Sequence, residues 1–383
     1  MKPSGEPPQW VATVRAGRCY RLPWEYLLLA AWAARWFAVE AGGRHSWHLL
    51  TEAARLATGG HPAGFRLAGG LHLYGSYPRF QFGPVTLGVT AALRLIGPDE
   101  GVVTAQVVMT GCGLAILYLA ARTVRVVRPD LDPEQIRWTV LGAGAVFVPV
   151  WSILAVSFMH LDDVLALLFA VLAVDAVARG RAVPAGIWLA LSGGSKPWAF
   201  GFMALLLALP ALPARDRWRA AAWAAGVTVV LWAPFVIADP GSISAARFAI
   251  PNVPGSGLRA LGIDSPGTPP WDRAAQIVGG FALAAAAVWR GRWPAVLLIC
   301  TAVRVALDPN TYPYYDAGLV VGALVWDLMG SRRALPAWSL AAGAMFWGWT
   351  NLAGQPVLAG DIRIGFAVAA AGVTILGPAY CLS

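Results

Sequence analysis

Charged side chains are scarce in this sequence, and their scarcity excludes an ordinary soluble enzyme. Asp, Glu, Lys and Arg make up 13 % of the 383 residues, against roughly a quarter in soluble domains, and hydrophobic residues make up 58 %. The polar stretches are too short to form a large soluble domain, so we expect a single integral membrane domain over 1–383. Because lipid offers no partner for backbone polar groups, we expect its membrane-spanning segments to be helices.

Lysine and regularly spaced cysteine are also lacking. Lys2 and Lys196 are the only lysines, and the arginines occur in pairs and triplets between apolar runs. The net charge of +9 is therefore scattered along the chain, which argues against nucleic-acid binding. The cysteines are far apart and have neither metal-site nor disulfide spacing; they are Cys19, Cys112, Cys300 and Cys381.

Apolar runs that could cross a membrane recur along the whole chain. A transmembrane helix needs about 20 apolar residues, and fewer where the segment is short or the bilayer adapts to it. The run 82–97 is the weakest candidate, because it is short and carries Pro84, Arg94 and several glycines. The candidate runs are 23–42, 82–97, 101–121, 138–157, 163–178, 182–195, 198–213, 219–238, 274–289, 293–307, 316–329, 337–353 and 364–380.

The positive-inside rule decides how these runs are arranged. If 82–97 lies on the outer surface, the short cytoplasmic segments hold well over half of the 29 basic residues; if it spans, most of them move outside. We therefore predict an all-α, multi-pass protein of the cell membrane, with about twelve transmembrane helices (eleven to thirteen) and both termini cytoplasmic. Its tail would be 1–22. Its outer loops would be 43–100, with surface helices at 47–58 and 82–97, and 239–273.

Two adjacent carboxylates, Asp162 and Asp163, open the apolar run in "SFMHLDDVLALLFAVLAV", with His160 beside them. The predicted topology places all three at the outer end of a transmembrane helix, where polar residues are rare unless they line a cavity or carry function. One Asp in the first turn is explained by capping and the helix dipole. The second Asp and the histidine exceed that need. We favour an outward-facing polar cavity and keep simple capping as the alternative.

Two basic residues are predicted on the same face of the membrane. Lys196 in "SGGSKPW" either extends its ammonium group to the interface or binds a phosphate. Arg304 in "VRVALDPNTYPYYDAG" either binds a phosphate or pairs with Asp308. Most of the 19 tryptophans are expected to anchor the protein at the membrane interface, and Tyr314 and Tyr315 either do the same or stack on a sugar.

The order of these motifs resembles the glycosyltransferase-C superfamily, and most of all its bacterial polyprenyl-phosphate-mannose-dependent mannosyltransferases. The similarity covers mainly 1–330. It consists of one span, an outer loop with "SWHLLTEAARLATGG", a surface helix from "FQFGPVTLGV", the acidic "HLDDVLALL", a short span ending in "GGSKPW", and "VRVALDPNTYPYY" before another span. Each motif is weak alone, and their order and common side of the membrane are moderately specific.

The resemblance implies an inverting sugar transfer on the outer face of the membrane. A polyprenyl-phosphate sugar, mannose in this branch, would be the donor, and a lipid, glycolipid or glycan of the cell envelope the acceptor. A carboxylate would take the proton of the acceptor hydroxyl, and basic groups would stabilise the departing phosphate. By position, Asp162 and Asp163 match the second acidic motif of the family, Lys196 its outer basic residue and Arg304 its donor-phosphate residue.

One position departs from the family pattern. The first outer loop of the family supplies a catalytic Asp ahead of a Glu; Glu52 matches that Glu, and Ser46 then stands where the Asp is expected. Either another residue is the base, or the alignment is shifted, or the protein binds a lipid-linked sugar without transferring it. A neutral imidazole is a credible base near neutral pH. The candidate bases are Glu40, His45, His48, Asp162 and Asp163. The candidate substrate-binding residues are Ser46, Glu52, His160, Asp308, Tyr314 and Tyr315.

Two further hypotheses stay open. A transporter or flippase of a lipid-linked or polar solute would place its ionisable residues near the bilayer midplane, whereas here they crowd one face. An inactive relative that only binds lipid-linked sugar is compatible with Ser46. We expect no cofactor; a divalent cation held by His160, Asp162 and Asp163 is the less favoured alternative, because a monophosphate donor does not require one.

Overall fold

The computed structural model of the chain describes residues 24–59, 61–63, 66–209, 213–244, 248–351 and 355–377. The predicted cytoplasmic tail, 1–22, lies outside the described residues, as do Cys19 and Cys381.

The described chain is almost entirely helical. Its one sheet is a short antiparallel hairpin of β1 (His61–Ala63) and β2 (Arg66–Ala68), with His61 opposite Ala68. The α-helices are α1 (Trp24–Glu40), α2 (Trp47–Thr58), α3 (Leu73–Ser76), α4 (Pro84–Leu93), α5 (Val102–Val127), α6 (Pro133–Ser152), α7 (Leu161–Ala178), α8 (Ala182–Ser195), α9 (Ala214–Ala238), α10 (Gly241–Ser244), α11 (Gly257–Ala260), α12 (Asp272–Trp289), α13 (Val296–Leu307), α14 (Asp316–Met329), α15 (Ala337–Asn351) and α16 (Pro356–Leu376).

Each apolar run predicted from the sequence contains a helix. Among the described residues, four helical segments are long and apolar enough to cross a membrane by length and composition: Asp99–Val127, Pro133–Ser157, Ala214–Ala238 and Pro356–Leu376. The prediction of an all-α, multi-pass membrane protein is therefore confirmed, and the count of about twelve spans stays a prediction.

One predicted span has a different helix type. Pro197–Ala208 is a 3₁₀ helix of 12 residues, where the apolar run 198–213 predicted an α-helix. A 3₁₀ helix rises about 2.0 Å per residue, so this segment covers about 24 Å, more than an α-helix of the same length.

Helices occur at both positions predicted for surface helices, with one change of length, and their place at the membrane surface stays a prediction. α2 matches the predicted 47–58 and buries Trp47, Leu50 and Ala54, the spacing of an amphipathic helix. α4 is shorter than the predicted 82–97: it begins at Pro84, which is suited to the first helical position, and ends at Leu93.

The core is formed by α7, α13 and α14, which the other long helices surround. Every residue of α14 is buried, whereas Ala220 and Ala224 are the only residues of α9 that are buried. α8 packs between α7 and α9, and α12 packs against α13 and the 3₁₀ helix. α9 exposes Val229, Val230 and Ile237, the composition of a face that contacts lipid.

Candidate active site

A sharp turn between α6 and α7 places the predicted acidic motif. α6 continues into a π-helix over Ile153–Ser157, and Met159 then takes a left-handed backbone conformation with φ of +53° although it is buried. Such a conformation costs a non-glycine residue on the order of 1–3 kcal/mol, so the surrounding contacts must hold it. Among these contacts, the backbone N–H of His160 donates to the carbonyl of Leu154 at 3.1 Å, and the amide nitrogen of Gln106 donates to the carbonyl of Val156 at 3.0 Å.

The predicted first outer loop approaches this turn through Gly43. A Cβ on Gly43 would lie 2.2 Å from the carbonyl oxygen of Ser157, so only glycine fits this close approach of two backbones. The amide of Gln106 also donates to the carbonyl of Gly43 at 3.1 Å, and the backbone N–H of Ser46 donates to the carbonyl of Phe158 at 3.0 Å. These contacts bring Ser46, at the start of α2, beside the start of α7.

Asp162 is buried and pairs with Lys196. The ammonium group of Lys196 donates to Oδ2 of Asp162. Lys196 stands between α8 and the 3₁₀ helix, where the backbone N–H of Gly83 donates to the carbonyl of Ser195 at 2.8 Å. A Cβ on Gly83 would lie 2.0 Å from the carbonyl oxygen of Gly194, so glycine at 83 lets this loop fix the position of Lys196.

Asp163 is also buried and pairs with Arg304. Oδ1 of Asp163 accepts from Nη1 of Arg304 at 3.0 Å and from Nε1 of Trp198 at 2.9 Å. The guanidinium carbon of Arg304 lies 4.2 Å from the ring centroid of Trp198 and 4.9 Å from that of Tyr315. Oδ2 of Asp163 has no hydrogen-bond partner among the described residues. Arg304 thus pairs with Asp163, whereas the sequence suggested either phosphate binding or a pair with Asp308.

His160 links the predicted first outer loop to the acidic motif. Its Nε2 lies 2.9 Å from Oγ of Ser46, and its Nδ1 lies 3.3 Å from Oδ1 of Asp162. The imidazole stacks on Tyr314 with ring centroids 3.8 Å apart and an interplanar angle of 23°. Serine, histidine and aspartate therefore form a hydrogen-bonded chain from the loop to the helix.

Ser46, His160, Asp162, Lys196 and Arg304 line a polar cavity of about 200 Å³, called the polar cavity below, whereas Asp163 is not among its lining residues. Its lining residues are Ser46, Leu49, Leu50, Arg79, Gln81, Phe82, His160, Asp162, Lys196, Trp198, Phe248, Ile250, Arg273, Arg304, Asp308, Tyr312, Tyr314 and Tyr315. They come from both predicted outer loops and from the ends of the helices around them. Such a convergence of charged and aromatic side chains in one concave site is typical of an active site.

The structure brings most of the predicted site residues to this cavity and leaves others away from it. Glu40, His45 and His48 are not among the lining residues; His45 stacks instead on Phe158, with ring centroids 4.9 Å apart. Glu52 also lies outside the lining and accepts from Arg79 at 2.5 Å.

Asp308 lines the cavity and is almost completely buried. Burial raises the pKa of its carboxyl group above the ordinary value, against the opposing positive charges of Arg273 and Arg304. Its Oδ1 accepts from the backbone N–H of Asn310 at 3.0 Å. Burial thus disfavours the charged form of Asp308, and the neighbouring arginines oppose that effect.

Sequence reasoning missed Arg273, which lines the polar cavity as Lys196 does. Nη2 of Arg273 donates to Oε1 of Gln81 at 3.3 Å, and Nε2 of Gln81 donates to the carbonyl of Phe248 at 3.1 Å. One signal was present in the sequence. Arg273 stands in the first turn of α12, where the helix dipole disfavours a cation. A cation at such a position indicates a role other than helix stability.

A second, apolar cavity of about 460 Å³ adjoins the first and is called the apolar groove below. Gln81, Phe82, Lys196, Trp198 and Arg273 line both. The other lining residues of the groove are Tyr74, Phe80, Pro197, Phe200, Thr228, Trp232, Val236, Ser242, Ile243, Gln276 and Ile277. Basic side chains thus stand at the junction between a polar and an apolar chamber.

His160, Asp162 and Asp163 are the three described residues that could jointly hold a metal ion, with ligand atoms within 4.8 Å of one another. The carboxylates already accept from Lys196 and Arg304. A divalent cation would have to compete with two cations for the same oxygens, so these contacts favour internal ion pairs over a metal site.

Two solved structures are similar to this chain at low identity. The crystal structure of ArnT from Cupriavidus metallidurans in the apo state is 15 % identical with a TM-score of 0.46, over 92 % of this chain and 77 % of that chain. The structure of ArnT from the same organism bound to undecaprenyl phosphate is 17 % identical with a TM-score of 0.41, over the same shares. No protein-family model and no curated protein matches the sequence. The assignment of a function therefore depends on the residues of this chain.

Proposed function

We propose that this protein is a membrane glycosyltransferase that moves a sugar from a polyprenyl-phosphate donor to an acceptor by a single inverting displacement. The observation that carries the proposal is the wall common to the polar cavity and the apolar groove, which includes Lys196 and Arg273. A polar chamber and an apolar chamber that meet at basic side chains fit an amphipathic ligand with an anionic group between an apolar chain and a polar head. A polyprenyl-phosphate sugar has that plan.

The donor phosphate would bind at Lys196 and Arg273. Asp162 partly compensates the charge of Lys196, whereas Arg273 donates to the neutral amide of Gln81. Arg273 therefore supplies positive charge to the junction, where it would stabilise the charge that develops on the departing phosphate. Arg304, which is paired with Asp163, adds to the positive potential of the same wall.

The sugar and the acceptor would meet in the polar cavity. Trp198 and Tyr312 present aromatic rings there, which suit the apolar faces of a sugar. Phe248 and Ile250 bring the second predicted outer loop to the edge of the same cavity, where a glycolipid or glycan acceptor would enter. The order of the sequence motifs makes mannose the first donor sugar to test.

The proposal also needs the cavity to face outward. A cysteine introduced at exposed Phe248, in a background without the native cysteines, should react with a membrane-impermeant maleimide added to intact cells. A cysteine at exposed Arg217 should react only after the membrane is opened. The reverse pattern would place the cavity in the cytoplasm and overturn the proposed topology.

The transfer itself is tested with radiolabelled polyprenyl-phosphate mannose and membranes that contain the protein. We expect label to move into glycolipid or glycan, and we expect Arg273→Ala to lower the rate at least tenfold and Lys196→Ala at least a hundredfold, because charge stabilisation in a transition state is worth about this much. Arg219→Ala is the matched control, since Arg219 is an exposed arginine paired with Asp216 far from either cavity.

Failure has distinct forms. Full activity in both cavity variants would refute the proposed phosphate site. Movement of the intact lipid-linked sugar across liposomes without a covalent product would replace the transferase by a flippase. Saturable binding of the donor, again without product, would make the protein an inactive relative that holds lipid-linked sugar.

A further inference from the structure

The proposed transfer needs a base for the acceptor hydroxyl, and both carboxylates of the acidic motif are already engaged. Asp162 accepts from Lys196, and Oδ1 of Asp163 accepts from both Arg304 and Trp198. A carboxylate held by a cation gains less from taking a proton than a free one does. The base is therefore to be sought among the side chains that these carboxylates support.

His160 has the geometry of a supported base. With Asp162 at 3.3 Å from Nδ1, the neutral imidazole keeps its proton on Nδ1, and Nε2 is left with a lone pair. The hydroxyl of Ser46 then donates to Nε2 at 2.9 Å, and its oxygen remains an acceptor at the wall of the polar cavity. The hydrogen-bonded chain is therefore directed from the cavity toward Asp162.

We infer that His160 is the general base of the reaction, that it acts through the hydroxyl of Ser46, and that Asp162 is its positioning residue; this inference rests on the proposed function. The acceptor oxygen bonds to the anomeric carbon as the bond from that carbon to the phosphate oxygen breaks. The electron pair of the broken bond leaves with the phosphate. The acceptor proton passes to Oγ of Ser46, and the Ser46 proton passes to Nε2 of His160.

The charges around His160 suit this role. Asp162 and Asp163 lie on its own helix, Lys196 and Arg304 reach them from the neighbouring elements, and Tyr314 stacks on the ring. The two carboxylates and the two cations of these pairs sum to zero, and Asp308, Arg79 and Arg273 also line the cavity. The imidazolium that forms would have one carboxylate 3.3 Å and another 3.8 Å from its Nδ1.

The other histidines named from the sequence do not share this arrangement. His45 and His48 are exposed and are absent from the lining of the polar cavity. The family pattern has aspartate where this chain has Ser46. Here the basic group would be the imidazole of His160, which is hydrogen-bonded to the Ser46 hydroxyl.

The decisive experiment measures transfer in His160→Ala, Ser46→Asp and the double variant. We expect His160→Ala to lower the rate by about 10²–10⁴, the usual share of a general base. A carboxylate at position 46 restores a base, so the double variant should transfer at least tenfold faster than His160→Ala. Its rate should persist to lower pH than that of the wild type, because carboxylates ionise at lower pH than imidazole. His72→Gln is the control and should keep the wild-type rate.

A wild-type rate in His160→Ala would overturn the inference. So would a double variant that inserts normally and is no faster than His160→Ala. Asp162→Asn tests the positioning role, and we expect this variant to transfer more slowly and with a changed pH profile. An unchanged rate and pH profile, in purified variant of normal stability, would show that Asp162 only stabilises the fold.

A second readout does not depend on transfer. Diethyl pyrocarbonate modifies neutral imidazole, and peptide mass mapping locates the product. We expect His160 to react at neutral pH, and to react faster in Ser46→Ala, where Nε2 has lost its hydrogen bond. An unreactive His160 beside a reactive His45 would refute the base. A reactive His160 in a protein that transfers no sugar would instead refute the proposed function and leave the serine–histidine chain in place.

Discussion

The two ends of α7 carry acidic residues in very different surroundings. At the C-terminal end, Asp175 accepts from Arg179, four residues along the same helix, at 2.9 and 3.0 Å, and from Thr123 at 2.8 Å. At the N-terminal end, Asp162 and Asp163 are buried, and their cationic partners lie 34 and 141 residues away in the sequence.

This difference separates a local charge pair from an assembled site. The pair at the C-terminal end joins two residues that are four apart in sequence, so it forms as soon as the helix forms. The pairs at the N-terminal end form only after several elements have packed. Asp162, Lys196 and Arg304 line the polar cavity, whereas Oδ2 of Asp163 is buried without a hydrogen bond among the described residues.

The largest effect is expected from Arg304→Met. This change leaves Asp163 as an uncompensated buried charge, which should cost about 3–5 kcal/mol of stability and abolish transfer. The thermal unfolding midpoint of the protein in detergent measures the first effect. The double variant Asp163→Leu with Arg304→Met should regain much of the stability and none of the activity. Arg179→Met, at the other end of α7, should lower the midpoint far less.

The next largest effect is expected from Gly43→Ala. The new Cβ would clash with the backbone of Ser157, and the backbones must move apart. We expect overpacking to cost about 1–3 kcal/mol, and transfer to fall about tenfold or more as Ser46 is displaced from His160. Gly42→Ala is the matched control, because nothing lies within 4 Å of a Cβ placed there. Equal losses in both variants would contradict this account.

Charge-preserving exchanges should distinguish the two ends more finely. Lys196→Arg keeps the charge but places a wider planar group at the junction of the two cavities, so we expect transfer to fall roughly threefold to tenfold. Arg179→Lys keeps the charge of a partly exposed pair and should leave the rate within about twofold of wild type. Kinetics of both variants with the same donor provide the comparison.

The smallest effect is expected from Asp175→Asn. The amide oxygen can still accept from Thr123, and the lost ion pair should cost about 1 kcal/mol or less. Transfer should be unchanged. A large loss of activity in a stably folded variant would show that the C-terminal end of α7 is coupled to the site.

The sequence alone predicted the helices well, because hydrophobic periodicity and apolar run length are local properties. The surface helix 47–58 and the runs beginning at 182 and 316 agree with α2, α8 and α14 to the residue. The 3₁₀ form of Pro197–Ala208 was not predicted, since its apolar composition would equally suit an α-helix.

The site was predicted in part, for a physical reason. Burial near a membrane is costly for any charge, so Asp162, Asp163 and Lys196 stood out without knowledge of their partners. Which residues meet is set by the packing of elements far apart in sequence. The contact of Ser46 with His160, 114 residues away, and the place of Arg273 at the junction could not be read from local patterns.

The exposed face of α9 has a consequence for how a donor would arrive. Thr228, Trp232 and Val236 of this helix form part of the groove wall, while Val229 and Val230 beside them face away and are exposed. One thin wall thus separates the bilayer from the chamber proposed for the prenyl chain. A donor dissolved in the membrane would enter sideways after a search in two dimensions, so its supply would depend on its mole fraction in the leaflet rather than on any concentration in water.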